Sequence, residues 1–331
     1  LKVALSSDLN PELIRTAYRL FLGREPETEL AVQQALGYGT VEKLRAAFLV
    51  SEEFRAGIQG AGMAQAPTPP SLVRLDAPPI EAEWEADTAT ADALLAHVRA
   101  TWTRLGEERP HWSVLSADAF APERIQQTKT AFFASGQNDC RELVAILARQ
   151  GIRPSDVVRL FEFGCGVGRV TPFFAKTFHE VTACDVSVSH MALARDVVWA
   201  ANVKNVTFVL ADTVEFGMKA PFDVWFSRIV LQHNSPPVIA MILRRAFAMQ
   251  VPGGIAVFQV PTYATGYSFR LAEYMGKLTA AGGIEMHVLP QPVIFSLARD
   301  AGCEPLEVLE DMSAGPSATW NSTTFVMRKR L

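Results

Sequence analysis

Apolar residues change their rhythm along this chain, and the change divides it. Between residues 9 and about 60 they recur every three or four positions: Leu13, Ala17, Leu20 and Phe21, then Val41, Leu44, Phe48 and Leu49. Such spacing puts them on one side of successive helices. Asn10-Pro11-Glu12 reads as a helix start, a capping side chain followed by proline in the first turn. A second helix is predicted from about Glu29 to Leu36, closed by Gly37, and a third from Thr40. Residues 61–80 break the pattern with Ala66-Pro67-Thr68-Pro69-Pro70 and Ala77-Pro78-Pro79, a semi-extended run that cannot continue a helix. A helix from about Thr90 to Leu105 follows, with Leu94, Leu95, Val98 and Trp102 on one face.

From about residue 140 short apolar runs alternate with helical stretches. The predicted strands are Val157–Phe163, Val181–Asp185, Val206–Ala211, Phe222–Ile229 and Gly254–Val260, with a C-terminal strand at Thr323–Arg328. Helices are predicted around Val170–Phe178, Ser189–Ala201 and Pro236–Met249. This rhythm gives a parallel sheet covered on both faces. Ligands of such folds sit beyond the carboxyl ends of the strands.

Composition narrows the classes. The chain has 331 residues, 49% hydrophobic and 20% charged, which is more than one ordinary domain and enough for a large core. A net charge of -4 argues against a sequence-independent grip on nucleic acid. No stretch is long and apolar enough for a membrane span or a signal peptide. Cys140, Cys165, Cys184 and Cys303 form no C-x-x-C pair, so reduced thiols in a cytoplasmic protein are expected. No Asp, Glu and His cluster has metal-ligand spacing, and no metal is expected.

The segment Leu160-Phe161-Glu162-Phe163-Gly164-Cys165-Gly166-Val167-Gly168-Arg169 carries the chemistry. An apolar strand runs into alternating glycines, which let the backbone turn sharply and let a cofactor come close. Dinucleotide sites favour G-x-G-x-x-G against a pyrophosphate. Here Arg169 follows the glycines, and Glu162 stands two residues before the first of them. An acid there repels a pyrophosphate and suits an ammonium. Glu162-x-Gly164-x-Gly166-x-Gly168 resembles the first motif of class I S-adenosylmethionine-dependent methyltransferases.

That resemblance covers about residues 130–330 and implies a set of contacts. Asp185, 17 residues after Gly168, resembles the acid that accepts from the ribose hydroxyls, with Val186 beside it. Ala211-Asp212-Thr213 resembles the segment near the adenine, and Phe222-Asp223-Val224-Trp225-Phe226-Ser227 the fourth-strand motif. The implied cofactor contacts are therefore Glu162, Gly164, Cys165, Gly166, Gly168, Arg169, Asp185, Val186, Asp212, Thr213 and Ser227. Phe132 and Gly136 are added from a segment that, in this family, often closes over the methionine end. The expected fold is α/β: a Rossmann-like, seven-stranded, mostly parallel sheet with helices on both faces, preceded by a small all-α domain.

Methyl transfer to a hydroxyl needs positioning and a base, and histidine is the default base. His233, just past the fourth strand, is the candidate; packing over the cofactor is the alternative for it. An insertion at about 262–290 carries Tyr263, Tyr267 and His287, which suit a sugar or other hydroxylated acceptor as substrate contacts. The expected domains are a helical docking module at 1–62, a Pro/Ala-rich linker at 63–89 and the methyltransferase domain at 90–331. The segment around Tyr18–Pro26, with Ser51-Glu52-Glu53-Phe54, resembles a small bacterial helical module related to phycobilisome-linker-type domains, which implies a protein partner. The expected function is O-methylation of a small molecule or glycan. The rivals are a non-catalytic S-adenosylmethionine-binding scaffold and a nicotinamide-dependent oxidoreductase.

Overall fold

A computed structural model describes residues 9–51, 53, 76–278, 283–315 and 319–331. Glu52, Phe54, most of the proline-rich run and Gly282 lie outside the described residues. The chain forms two compact units, residues 1–69 and 70–331.

The first unit contains α1 (Pro11–Leu22), α2 (Glu29–Leu36) and α3 (Val41–Val50). Asn10, Thr28 and Thr40 cap them, each side chain accepting an N–H three residues on. Ile14, Val32, Leu44 and Phe48 close a small core.

The second unit opens with β1 (Glu81–Ala82), α4 (Thr88–Glu108), α5 (Pro110–Val114) and α6 (Ile125–Arg149). Strand and helix then alternate: β2 (Arg159–Phe163), α7 (Thr171–Thr177), β3 (Glu180–Asp185), α8 (Val188–Ala200), β4 (Val206–Leu210), β5 (Phe222–Ser227), α9 (Pro236–Met249) and β6 (Gln250–Ala264). The chain ends with β7 (Ser268–Phe269), α10 (Leu271–Lys277), α11 (Gln291–Asp300), β8 (Cys303–Asp311) and β9 (Trp320–Lys329). Seven strands form one sheet in the order β4-β3-β2-β5-β6-β9-β8, parallel except where β9 runs against both of its neighbours. Strand order reverses at β2, so the crevice beyond its carboxyl end is where such a sheet receives a ligand.

The core lies on both faces of the sheet. Trp225, Phe258 and Phe325 pack under α9 and α11 on one face, and Leu143, Leu147, Phe174 and Val257 fill the other under α6 and α7. All four cysteines are buried and unpaired.

Two stretches differ from the sequence reading. Residues 63–89 were expected to be linker throughout, but Glu81 and Ala82 pair in parallel with Ser268 and Phe269 of the insertion. Glu83 continues the contact, its N–H donating to the Phe269 carbonyl at 3.0 Å and its carboxylate accepting from the Leu271 N–H at 2.6 Å. Backbone donors and the ion pairs of Glu81 and Glu83 with Arg270 hold this stretch, so it leaves no apolar pattern. The second is the segment Phe132–Gly136, expected either to close over the methionine end or to belong to a helix core: it lies inside the 25-residue helix α6.

Candidate cofactor and acceptor site

The glycine loop leaves β2 with Gly164, Gly166 and Gly168 all at positive φ. A Cβ on Gly164 would come 2.2 Å from the Val230 side chain, and one on Gly166 would come 2.7 Å from Val114. Both valines line the cavity above the loop, so the missing side chains keep that crevice open. Gly168 has another use: a Cβ there would meet Ala194 of α8 at 3.0 Å, so it permits close packing instead of lining the cavity.

The cavity lies beyond the carboxyl ends of β2, β3 and β5. Of the residues read from sequence, Glu162, Gly164, Cys165, Gly166, Arg169, Asp185 and Val186 line it. Asp185 is fixed from both sides: one carboxylate oxygen accepts from the Gly166 N–H at 2.8 Å, the other from the Ser187 N–H at 2.9 Å. Glu162 is buried and accepts from the Thr171 hydroxyl at 2.7 Å. Burial pushes its carboxyl up to about 8, so at neutral pH it holds a proton until a cation arrives.

Arg169, 7% exposed, pairs with Asp139 and donates to the Ser135 hydroxyl at 3.1 Å, while its Nε has no partner. Asp139 is shared with Arg228 at 3.0 Å, and Arg228 also pairs with Glu142. A buried guanidinium N–H left without a partner fits a ligand carboxylate. Together with the Glu162 carboxyl and the open acceptor positions of Asp185, the crevice matches the ammonium, carboxylate and sugar of the nucleoside that the resemblance implies.

The remaining cofactor candidates sit elsewhere. Phe132 is wholly buried with Val167 behind the loop. Gly136 lies against the loop backbone, where a Cβ would overlap the Arg169 carbonyl at 2.0 Å. Asp212 and Thr213 are exposed, and it is Ala211 that reaches the wall. Ser227 is buried at the end of β5, beside a second cavity.

Several wall residues were not read from the sequence as site residues. Leu95, Val98 and Trp102 of α4, with Ser113 and Val114 of α5, cover the crevice. His190 of α8 accepts or donates at 2.9 Å with Ser113. The apolar face of α4 was legible, but nothing local says which surface a face will cover. Ile229, a β-branched residue at φ 57, also lines the cavity, its N–H donating to Gln259 at 2.9 Å. A strained backbone of this kind is kept where the surroundings over-determine it, often at a site.

His233 is half-buried and outside the cavity wall, its ring 5.3 Å from that of Trp102. Its Nδ1–H donates to the Glu285 carbonyl at 2.8 Å, and its Nε2 accepts from the Gln232 amide at 3.3 Å. Burial pushes it down to about 4, so it is neutral at pH 7. His287 and Tyr267 bond each other at 3.0 Å, and His287 meets the Glu285 carboxylate at 3.1 Å, which also accepts from Tyr274 at 2.6 Å. Those donors, His287 first, hold Glu285 down to about 2. Tyr267 and His287 therefore spend their polar atoms inside the insertion, and neither they nor Tyr263 line the cofactor cavity.

Beyond Arg228 lies the second cavity, of about 260 Å³, bounded by α6, the ends of β5 and β8, and the middle of β6. Phe226 and Arg228 belong to the walls of both.

Residues 160–254 match the model of a family described as a methyltransferase domain. The malonyl-[acyl-carrier protein] O-methyltransferase of Bacillus cereus is 33% identical over 103 residues, 30% of this chain and 36% of that one. The match thus spans little more than a third of that relative's length. Among solved structures, the magnesium protoporphyrin IX methyltransferase of Synechocystis PCC 6803, with bound SAH, shares the fold at a TM-score of 0.50 and 16% identity, over 70% of this chain and 98% of that one. The N-methyltransferase NodS of Bradyrhizobium japonicum aligns at a TM-score of 0.42 and 17% identity, over 62% and 99%. Among the described residues, no helix is long and apolar enough to cross a membrane.

Proposed function

We propose that this protein is an S-adenosylmethionine-dependent methyltransferase acting on the oxygen of a sugar or another small hydroxylated acceptor. The observation that carries the reading is the charge arrangement of the crevice: a buried Glu162, an Arg169 Nε with no partner, and an Asp185 fixed by two backbone N–H groups. S-adenosylmethionine supplies a methyl group already activated by a positive sulfur. Glu162 holds the ammonium, Arg169 faces the carboxylate, and Asp185 accepts from the ribose. Trp102, Leu95 and Val98 exclude water above the crevice, which strengthens each of these contacts.

His233 is the proposed base. Its neutral state and its Nδ1–H bond to a carbonyl leave Nε2 as the accepting atom. The Gln232 amide occupies that atom weakly, at 3.3 Å, and yields to an incoming hydroxyl. The N-terminal helices serve to dock a protein partner.

Incubation with cofactor labelled in its methyl group, followed by a search for label in cell-envelope glycans and small hydroxylated metabolites, tests the reading. Label must appear in an alkali-stable ether. The variant His233→Ala is expected to keep cofactor affinity within about twofold and to lose about 10²–10⁴ in turnover. Unchanged turnover removes His233 as the base, while a purified chain that carries a nicotinamide nucleotide removes the cofactor assignment.

A further inference from the structure

The second cavity lies at the carboxyl ends of β5 and β8 and beside the middle of β6, on the side of the sheet where ligands of this architecture bind. It touches the cofactor crevice at Phe226 and Arg228. At roughly 10–15 Å³ per water, its 260 Å³ hold a pyranose-sized molecule with room for its hydroxyls. Leu143, Ile146 and Val257 make one side apolar.

The other side is a buried hydrogen-bonded floor with a direction. Gln259, 1% exposed, donates to Gln232 at 2.9 Å and to the Ser322 hydroxyl at 2.8 Å. Ser322 donates in turn to Asp311 at 2.6 Å. Thr324 donates to the other Asp311 oxygen at 2.6 Å, and the Ser313 N–H supplies a third donor at 2.8 Å. Three donors of the floor thus end on one carboxylate. An ionised carboxylate has about four acceptor positions, so Asp311 retains one for a ligand.

Charge sorts the ligands further. The arginines of the cavity are both engaged, Arg149 with Glu307 at 2.6 Å and Arg228 with Asp139 and Glu142. Asp311 forms no direct ion pair among the described residues, Arg228 acting on it only at longer range, and Glu310 beside it accepts from Asn321. The wall asks for hydrogen-bond donors and repels anions. Behind the floor, Gln232 touches Gln259 on one side and His233 on the other.

We infer that this cavity is the acceptor site, and that it takes a small polyhydroxylated molecule without negative charge, with a hydroxyl donating to Asp311. This rests on the methyltransfer reading, and it moves the acceptor contacts from Tyr263, Tyr267 and His287 to the floor around Asp311.

Saturation-transfer NMR on the whole protein, with S-adenosylhomocysteine bound, tests the assignment using the methyl glycosides of glucose, galactose and rhamnose and the matching uronates of the first two. At least one neutral glycoside is expected to bind, and its uronate to bind at least tenfold more weakly. Asp311→Asn should weaken the neutral glycoside fivefold or more. Ala145→Trp, at an exposed position of α6 in the cavity wall, should abolish glycoside binding while S-adenosylhomocysteine affinity, read by calorimetry, stays within twofold. The inference is overturned if no neutral glycoside binds, if a uronate binds as well as its neutral partner, or if Ala145→Trp leaves glycoside binding intact. Failure of the wild-type chain to bind S-adenosylhomocysteine overturns the cofactor reading itself, which is a separate result.

Discussion

A single carboxyl, that of Glu162, sets how the crevice responds to pH. Buried and raised to about 8, it is protonated in the ligand-free site at neutral pH. An ammonium binds the ionised form, so binding must release a proton. The affinity for S-adenosylhomocysteine is therefore expected to rise about tenfold per pH unit between pH 6 and 8 and to level off above 8. Calorimetry in two buffers of different ionisation enthalpy should show the released proton. The ligand-free protein has the opposite trend. Because the folded carboxyl holds its proton more tightly than the unfolded one, its contribution to stability is complete at acid pH and is lost as pH rises towards and through 8. Melting temperature should fall over that range, and the ligand should narrow the fall. A flat affinity profile from pH 6 to 8.5 would place the ammonium elsewhere.

Two helices are set against the crevice by glycine, and the consequences differ in size. A Cβ on Gly136 of α6 would sit 2.0 Å from a backbone oxygen of the loop, which cannot move without moving the crevice. A Cβ on Gly106 of α4 would meet the ends of His190, Ser187 and Ser189 at 2.6 Å, and side-chain ends can rotate. Gly136→Ala is expected to cost about 1–3 kcal/mol and to weaken cofactor binding. Gly106→Ala should cost less, and chemical denaturation of both variants with ligand titration gives the comparison; equal costs would mean the loop yields. The same contacts explain what the sequence shows and what it hides. The turn at 164–168 and the alternation from β2 to β6 are legible because their causes are local: backbone conformation and apolar runs. Helix α6 is only partly legible because Ser135-Gly136-Gln137-Asn138-Asp139 interrupts its apolar stripe. Its glycine is kept for close approach to another backbone, and its Asp139 is buried against two arginines. Ser227 was read as a cofactor contact because the fourth-strand motif suggested it, yet strand parity and the turn at Ile229 give the crevice Phe226 and Arg228 instead.

At the scale of the molecule, the cofactor crevice is lined entirely from the unit that begins at Pro70. A chain of residues 70–331 is expected to fold and to bind S-adenosylhomocysteine within about twofold of the full-length protein, as calorimetry can check. A chain of residues 90–331 should not behave the same way. It lacks Asp87, whose side chain accepts from the Thr90 N–H at 2.8 Å to cap α4, and caps of this kind contribute about 1 kcal/mol. It also lacks the strand that pairs with the insertion, so its melting temperature should fall by at least about 2–4 °C. Equal melting temperatures would show that the pairing of Glu81 and Ala82 with Ser268 and Phe269 carries no stability.

That small parallel pairing bears on how any role of the leading helices can be measured. The proline-rich stretch invites a cut at its end, but the last residues before α4 already belong to the second unit. Turnover lost on trimming to residue 90 would report a missing edge strand rather than a missing domain, and only a cut made upstream of Glu81 separates the two.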